Sequence, residues 1–253
     1  MFLDIVIICL LFFIGIFAGL FSVIIGLKLP IEDKEFFNTC DHCNNKYKWY
    51  ELIPIFSFFL YKGECKYCKS DLNLWYCFLE LLCGLLLSFS YMIYGISYEM
   101  LVMICLTILS IIIFVSDFKY FIISDQPLFV SSLFVLMIKF IFFGFETFLI
   151  SLCSGLLIFV FMMSIRYIGN KIFKQESIGG GDIKLSVLFG FLLGIRLSIV
   201  SLVLGSFLAF PYAIYCSLSS TQKEIPFGPF LISGLYLVFI FMEPIKSFLT
   251  IIF

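Results

Sequence analysis

The chain opens with a long apolar run, Ile5 to Leu27, in which Cys9 is the only ionisable side chain. A helix needs roughly 20 apolar residues to cross a bilayer, and this run supplies them. Its apolar part is long and no basic segment precedes it, so we expect a retained membrane helix and not a cleaved signal peptide. Hydrophobic residues make up 62% of the 253 residues and charged residues 13%. Soluble domains carry about 25% charged residues, so the composition predicts an all-α, polytopic membrane protein.

Apolar runs separated by polar clusters predict about eight membrane helices. The runs are 4–27, 74–94, 98–116, 127–144, 146–168, 183–196, 197–217 and 228–250. They divide the chain into a first transmembrane helix (1–27), a polar loop (28–73) and a transmembrane core (74–253). The sixth run is short for a full crossing.

The lysines and arginines predict the orientation of these helices. If the N-terminus lies outside, only Lys139, Arg196 and Lys246 of the 16 basic residues fall outside. This asymmetry satisfies the positive-inside rule and places the polar loop in the cytoplasm. The net charge of −1 gives no sign of nucleic-acid binding, so we expect the lipid bilayer, and no nucleic acid, as a partner.

The polar loop carries two C-x2-C pairs, Cys40 with Cys43 and Cys65 with Cys68. Four thiolates at this spacing fit a tetrahedral zinc site, in which each pair supplies two sulfurs. Disulfides rarely persist in the cytosol, which favours structural zinc over oxidation. The alternative is four free thiols or two redox pairs. His42 lies within the first pair, and we expect it to be a surface residue.

Three aspartates, Asp117, Asp125 and Asp182, fall at the ends of predicted spans on the cytoplasmic side. A carboxylate inside a bilayer costs about 2.5–3.5 kcal/mol at a helix centre, so the presence of each aspartate requires an explanation. The simplest explanation is a structural role at a helix end. Asp125, with Ser124 before it and Pro127 after it, is well placed to cap a helix, and Asp182 follows a glycine turn.

A second interpretation makes two of the aspartates an acid–base pair. Like charges a few Å apart cannot both ionise, so one carboxyl stays protonated while the other activates water. A serine or cysteine nucleophile would need a histidine to activate it. The only histidine in the sequence, His42, lies in the polar loop, so this kind of nucleophile is disfavoured. We expect Gly179 to Gly181 to form a non-helical turn that lets another backbone approach Asp182. A phosphate-binding loop is disfavoured because the G-K-[ST] ending and a preceding strand are missing.

Together these motifs resemble those of the type IV prepilin peptidases, the bifunctional leader peptidase/N-methyltransferases of the GxGD aspartic class. The cysteine pairs flank "WYELIPIFSFFLYKG", Asp117 and Asp125 form a D-x7-D pair, and "GGGDIK" follows in the family's order. The resemblance covers roughly residues 10–230. It implies that Asp117 and Asp182 are catalytic.

The resemblance also implies supporting residues, a substrate and a second activity. Gly179 and Gly181 match the motif glycines, and Lys184 and Asp125 take supporting roles. The family cleaves prepilins and pilin-like proteins after a glycine, on the cytoplasmic side of the inner (plasma) membrane of bacteria. It then methylates the new N-terminus with S-adenosylmethionine as the methyl donor. The prepilin leaders end in basic residues, and the mature part opens with an apolar helix.

Two departures from the family pattern fall in this chain. Glu51 to Pro54 stand where many members have Asp-Asn-Ile-Pro, in the segment associated with methyl transfer, and Ser124 replaces a proline. Glu80 matches a family glutamate at the start of the second span and is the candidate methyltransferase residue. The alternative for Glu80 is a polar residue near the membrane interface.

Two functions from other classes compete with a peptidase. A proton- or ion-coupled transporter with a zinc-binding loop would use the carboxylates as a cation relay. Transporters usually show inverted repeats and carboxylates near the midplane of the bilayer, whereas Asp117 and Asp182 fall at predicted span ends. A non-catalytic zinc-loop scaffold would keep the aspartates far apart, each capping a helix.

Overall fold

The structure is a computed structural model that describes residues 2–31, 43, 45, 61, 63–70, 74–174, 176–219 and 225–252. These residues form seven long helices, a short 3-10 turn and connecting segments. The chain divides into two compact units, Met1–Val115 and Ser116–Phe253. The all-helical class predicted from composition is confirmed.

The first unit contains α1 (Phe2–Lys28), the 3-10 turn Leu29–Ile31, α2 (Leu74–Tyr94) and most of α3 (Tyr98–Tyr120). Helices α1 and α2 pack closely because both carry glycine at the crossing. A Cβ atom on Gly15 would lie 2.6 Å from the Cα atom of Gly84. The core of this unit consists of Val23, Leu79, Cys83, Leu87, Ile111 and Val115.

The second unit contains the end of α3, then α4 (Asp125–Phe173), α5 (Gly180–Ser219), α6 (Gly228–Ile240) and α7 (Met242–Ile252). Two glycines interrupt the longest helices: Gly144 in α4 (φ 82°, ψ 179°) and Gly194 in α5 (φ 74°, ψ 179°). Only glycine adopts this backbone conformation readily. Each of these two helices is therefore kinked at its glycine. The ring centroids of Phe140 and Phe148, on either side of Gly144, are 6.0 Å apart.

Small residues let the helix halves of the second unit touch backbone to backbone. A Cβ atom on Gly190 of α5 would lie 2.5 Å from the Cα atom of Gly155 in α4. Farther along α5, a Cβ atom on Gly234 of α6 would lie 2.7 Å from the backbone nitrogen of Gly205. Close backbone approach at small residues is the usual packing of membrane helices.

Five of the described helical segments are long and apolar enough to cross a membrane, and α6 with α7 forms a sixth candidate that is bent by 77°. The breaks at Gly144 and Gly194 lie within two residues of the predicted limits between the fourth and fifth spans and between the sixth and seventh. The count of eight spans stays a prediction.

The predicted span 228–250 was wrong as a continuous helix, because it is divided into α6 and α7 at Phe241. Pro244 explains the division. Proline has no backbone N–H to bond the carbonyl of Ile240, and its ring clashes with that carbonyl, so α6 does not continue through it.

Candidate active site

Asp117 lies in the last turn of α3, and its side chain is only 5% exposed. One carboxylate oxygen accepts a hydrogen bond of 2.9 Å from the backbone N–H of Gly228. Gly228 is the first residue of α6, and Pro229 follows it. The first amides of a helix have no partner within the helix and carry partial positive charge. The start of α6 therefore both satisfies and orients Asp117.

Asp182 lies in the first turn of α5, which begins at Gly180. Its carboxylate accepts a hydrogen bond from the backbone N–H of Gly179, the residue before the helix. This bond resembles one half of a capping box, in which the third helical side chain reaches back to the N-cap amide. The expectation of a non-helical turn over Gly179 to Gly181 was wrong for two of the three residues, because this cap lets the helix begin at Gly180.

The three glycines before Asp182 have different surroundings. A Cβ atom on Gly181 would lie 2.9 Å from the Cβ atom of Ile123, whereas one on Gly180 would meet only the Arg166 guanidinium, at 3.8 Å. A Cβ atom on Gly179 would lie 3.1 Å from a carboxylate oxygen of Asp182. Gly181 is therefore the position that lets the linker after Asp117 pack directly on α5.

An ion pair joins the same two segments beside that contact. The Nζ atom of Lys184 donates to both carboxylate oxygens of Asp125, each at 2.7 Å. Asp125 is the first residue of α4, and the N-cap is Ser124, whose side chain makes no capping bond. The capping role expected for Asp125 is therefore replaced by a salt bridge to the helix that carries Asp182.

These contacts bring the two predicted catalytic residues near each other within the second unit. Asp182 lies within the range of electrostatic interaction of Asp117. Each carboxylate accepts a backbone N–H at the start of a helix, from Gly228 and Gly179 respectively. A pair of neighbouring carboxyl groups can hold one proton between them and act together as acid and base.

Several residues near Asp182 had no part in the sequence interpretation. The backbone N–H and the hydroxyl of Ser177 both donate to the side-chain oxygen of Asn170, at 2.8 and 3.0 Å. Arg166 pairs with Glu176 at 3.3 Å. These bonds fasten the segment between α4 and α5. Gly228 was also missed, although a Gly-Pro pair before an apolar run is a sequence signal for a helix start.

Two family models match the chain. The first is described as the bacterial peptidase A24 N-terminal domain and matches residues 13–94. The second is described as the type IV leader peptidase family and matches residues 102–214, which include Asp117 and Asp182. The chain belongs to the type IV leader peptidase family.

Relatives in this leader peptidase family align over nearly the full chain. A prepilin leader peptidase/N-methyltransferase of Bacillus subtilis is 26% identical over 94% of this chain and 96% of its own length. A protein of the same name from Vibrio cholerae is 28% identical over 89% of this chain and 93% of its own length. No solved structure matches the chain. As a member of this family the protein is an enzyme, and the transporter alternative has no support.

The first unit holds the cysteine cluster. The sulfur atoms of Cys43, Cys65 and Cys68 all lie within 4.8 Å of one another, and Cys40 and His42 lie outside the described residues. A hydrogen bond with the hydroxyl of Ser70 lowers the pKa of the Cys68 thiol, which favours the thiolate form that binds metal. Three converging sulfurs fit a soft tetrahedral metal site such as zinc.

Glu80, the candidate methyltransferase residue, lies in α2 and is only 6% exposed. Its backbone faces α1, where a Cβ atom on Gly19 would lie 2.8 Å from the Cα atom of Glu80. Glu80 is therefore buried in the helix packing of the first unit. The Glu51–Pro54 segment lies outside the described residues.

Proposed function

We propose that this protein is a membrane aspartic endopeptidase that removes the leader of type IV prepilins or pilin-like proteins after a glycine, on the cytoplasmic side. The names of the relatives support the substrate class. The excess of lysine and arginine in the predicted inner segments supports the side of the membrane. The observation that carries the reaction type is the approach of Asp117 and Asp182 in the second unit.

In this proposal the two aspartates divide the acid–base work. The ionised carboxyl takes a proton from a water molecule as the water oxygen attacks the scissile carbonyl carbon. The protonated carboxyl then gives its proton to the departing amide nitrogen. The backbone N–H groups of Gly228 and Gly179 each donate a hydrogen bond that holds one carboxyl oxygen in place. The other oxygen of each carboxyl remains to act on water and substrate.

The charge of the site suits the substrate that the resemblance implies. A carboxylate site at the inner surface attracts a basic leader, and the apolar helix of the mature part remains in the bilayer. This attraction acts over about 8 Å at physiological salt, so it orients the leader only close to the site.

The decisive experiment replaces each aspartate by asparagine, which keeps the size of the side chain and removes its proton chemistry. We expect Asp117→Asn and Asp182→Asn each to lower cleavage of a prepilin by roughly 10²–10⁴-fold, the usual contribution of a general acid or base. The assay uses purified full-length enzyme and a prepilin in detergent or vesicles.

The matched control is Asp125→Asn, which removes a nearby carboxylate that pairs with Lys184. Its effect should be much milder. Full cleavage by either of the first two variants, with the protein inserted and folded, would refute the aspartic mechanism.

We propose in addition that the enzyme methylates the new N-terminus with S-adenosylmethionine. The N-methyltransferase names of the relatives support this second activity, and Glu80 is the candidate residue for it.

We also propose that Cys40, Cys43, Cys65 and Cys68 bind one structural zinc ion. The three sulfurs within 4.8 Å support the site, and Zn–S distances near 2.3 Å are expected. Metal analysis of the purified protein should find about one zinc per chain, and Cys65→Ser should lower that content. Four fully reactive thiols in the wild-type protein would contradict the zinc site.

A further inference from the structure

The C-terminal helix pair does not have the shape of an ordinary membrane span. Helix α6 has 13 residues, which corresponds to about 20 Å, whereas the hydrocarbon core of a bilayer is about 30 Å thick. It begins beside Asp117, to which Gly228 donates. At its far end the chain bends by 77° into α7. If α6 runs along the membrane normal, α7 runs nearly parallel to the membrane plane.

The side chains of α7 are divided between two faces. The polar face comprises Glu243, Lys246, Ser247 and Thr250, and the apolar face comprises Ile245, Phe248 and Leu249. The charged pair Glu243–Lys246, at 2.8 Å, is well exposed, and on the opposite face Phe248 is 63% exposed. The polar face is unfavourable in hydrocarbon, and the apolar face is unfavourable in water. A helix with both faces is therefore most stable at the boundary between water and hydrocarbon.

Lys139 of α4 lies at the same end of the second unit as α7. Helix α4 begins at Asp125, which pairs with Lys184 two residues after Asp182, and Lys139 lies 14 residues along α4, at a rise of about 21 Å. That rise is close to the length of α6, and the charge of Lys246 acts on Lys139. Two neighbouring cations on long side chains are stable where the side chains extend to lipid phosphate groups.

We propose that α7 is an interfacial helix whose partner is the phospholipid surface. It lies in the boundary between headgroups and acyl chains, at the end of the second unit opposite Asp117 and Asp182. Phe248 points into the acyl region, the Ser247 side faces the headgroups and water, and Lys139 and Lys246 lie at the depth of the phosphates. This inference does not depend on the peptidase mechanism.

The test compares two adjacent residues on opposite faces of α7. Ser247→Cys and Phe248→Cys are made in the full chain, and each protein is placed in lipid nanodiscs, where both membrane faces are open to reagent. Both positions are exposed, so neither change removes a core contact. The wild-type protein measures the background from the ten native cysteines.

We expect a membrane-impermeant maleimide to label position 247 at least tenfold faster than position 248. A fluorophore at 248 should be quenched more by nitroxide lipids labelled near the headgroup than by lipids labelled at the chain end. Equally fast labelling of both positions would show that α7 lies in water. Protection of both positions, or quenching that is strongest at the chain end, would show that α7 is in the hydrocarbon core. Each of these results overturns the proposal.

Discussion

At the scale of single residues, the two aspartates are held in different ways. Asp117 depends on another helix, because its amide partner Gly228 lies 111 residues farther along the chain. Asp182 depends on its own helix through Gly179. The linker between α3 and α4 sets the position of one aspartate relative to the other. It packs on α5 at Gly181, and Asp125 at its end pairs with Lys184 of α5. Small changes at these contacts should therefore act on the reaction without touching either carboxylate.

The first prediction concerns Gly181. Gly181→Ala should lower the kcat of prepilin cleavage by about tenfold or more, because the new methyl group would lie 2.9 Å from the Cβ atom of Ile123 and move the linker. The matched control is Gly180→Ala, whose methyl group has room, with the nearest atom at 3.8 Å. Alanine favours a helix over glycine, so a loss of activity at position 181 is not a loss of helix propensity.

Ile123→Ala in the Gly181→Ala protein removes two of the three crowding atoms and should restore part of the activity. Equal activity of Gly180→Ala and Gly181→Ala, both measured as kcat and KM, would contradict this role of the contact.

The second prediction concerns the ion pair of Asp125 and Lys184. Both side chains are more than half exposed, so their pairing contributes little to the free energy of unfolding. We expect the ion pair instead to position Asp182 relative to Asp117. Lys184→Gln should therefore lower kcat by roughly tenfold and leave KM and the thermal midpoint nearly unchanged. The reversed pair, Asp125→Lys with Lys184→Asp, should recover most of the kcat.

Lys246→Gln is the matched control, since it breaks an exposed ion pair remote from the site. A reversed pair no more active than the single variant would argue against a positioning role.

At the scale of helices, Gly144 and Gly194 decide the form of the second unit. Helix α4 has 49 residues and α5 has 40, each longer than one crossing requires. A single glycine with positive φ and extended ψ divides each into two halves. Because every other residue type is strained in that conformation, these two positions define where each helix is kinked.

The third prediction follows from this backbone conformation. Gly194→Ala should lower the free energy of unfolding by about 1–3 kcal/mol, the cost of forcing a side chain into a glycine-only region. Unfolding in mixed detergent micelles measures the change. Gly95→Asn is the control, because Gly95 has an ordinary left-handed φ of +59° that asparagine tolerates. An unchanged stability of Gly194→Ala would mean that the chain turns in another way.

Sequence analysis could predict much of this architecture, and its failures have physical causes. The membrane thickness limits the length of an apolar run, which is why the limits near Gly144 and Gly194 were found. The bend at Phe241 was missed because the apolar pattern continues through it, although Pro244 was visible. The bond from Gly228 to Asp117 has no local signal, because only tertiary packing decides which helix start meets which carboxylate.

At the scale of the whole molecule, the two proposed activities fall in different units. Asp117 and Asp182 lie in Ser116–Phe253, and Glu80 and the cysteine cluster lie in Met1–Val115. The two family models follow nearly the same division, at residues 13–94 and 102–214. The division suggests that methylation and cleavage can be impaired separately.

The fourth prediction tests that separation. Glu80→Gln should lower methyl transfer from S-adenosylmethionine by at least about tenfold while prepilin cleavage stays within about twofold, because the change removes one charge and keeps the buried shape. Incorporation of labelled methyl groups and leader release are measured on the same sample. Glu99→Gln, a change of the same kind in the same unit, controls for lost charge. An equal loss of both activities in folded protein would contradict the division.

The turn at Gly144 has a practical consequence. A Cβ atom there would meet nothing within 4 Å, and the turn lies 19 residues along α4 from Asp125, a rise of about 28 Å. Sequence inserted at this turn would add length outside the packed helices and far from both aspartates. The turn is therefore the natural place for an epitope, a fluorescent domain or a protease site. It is also where the gene could be divided so that two separately made fragments reassemble into one enzyme.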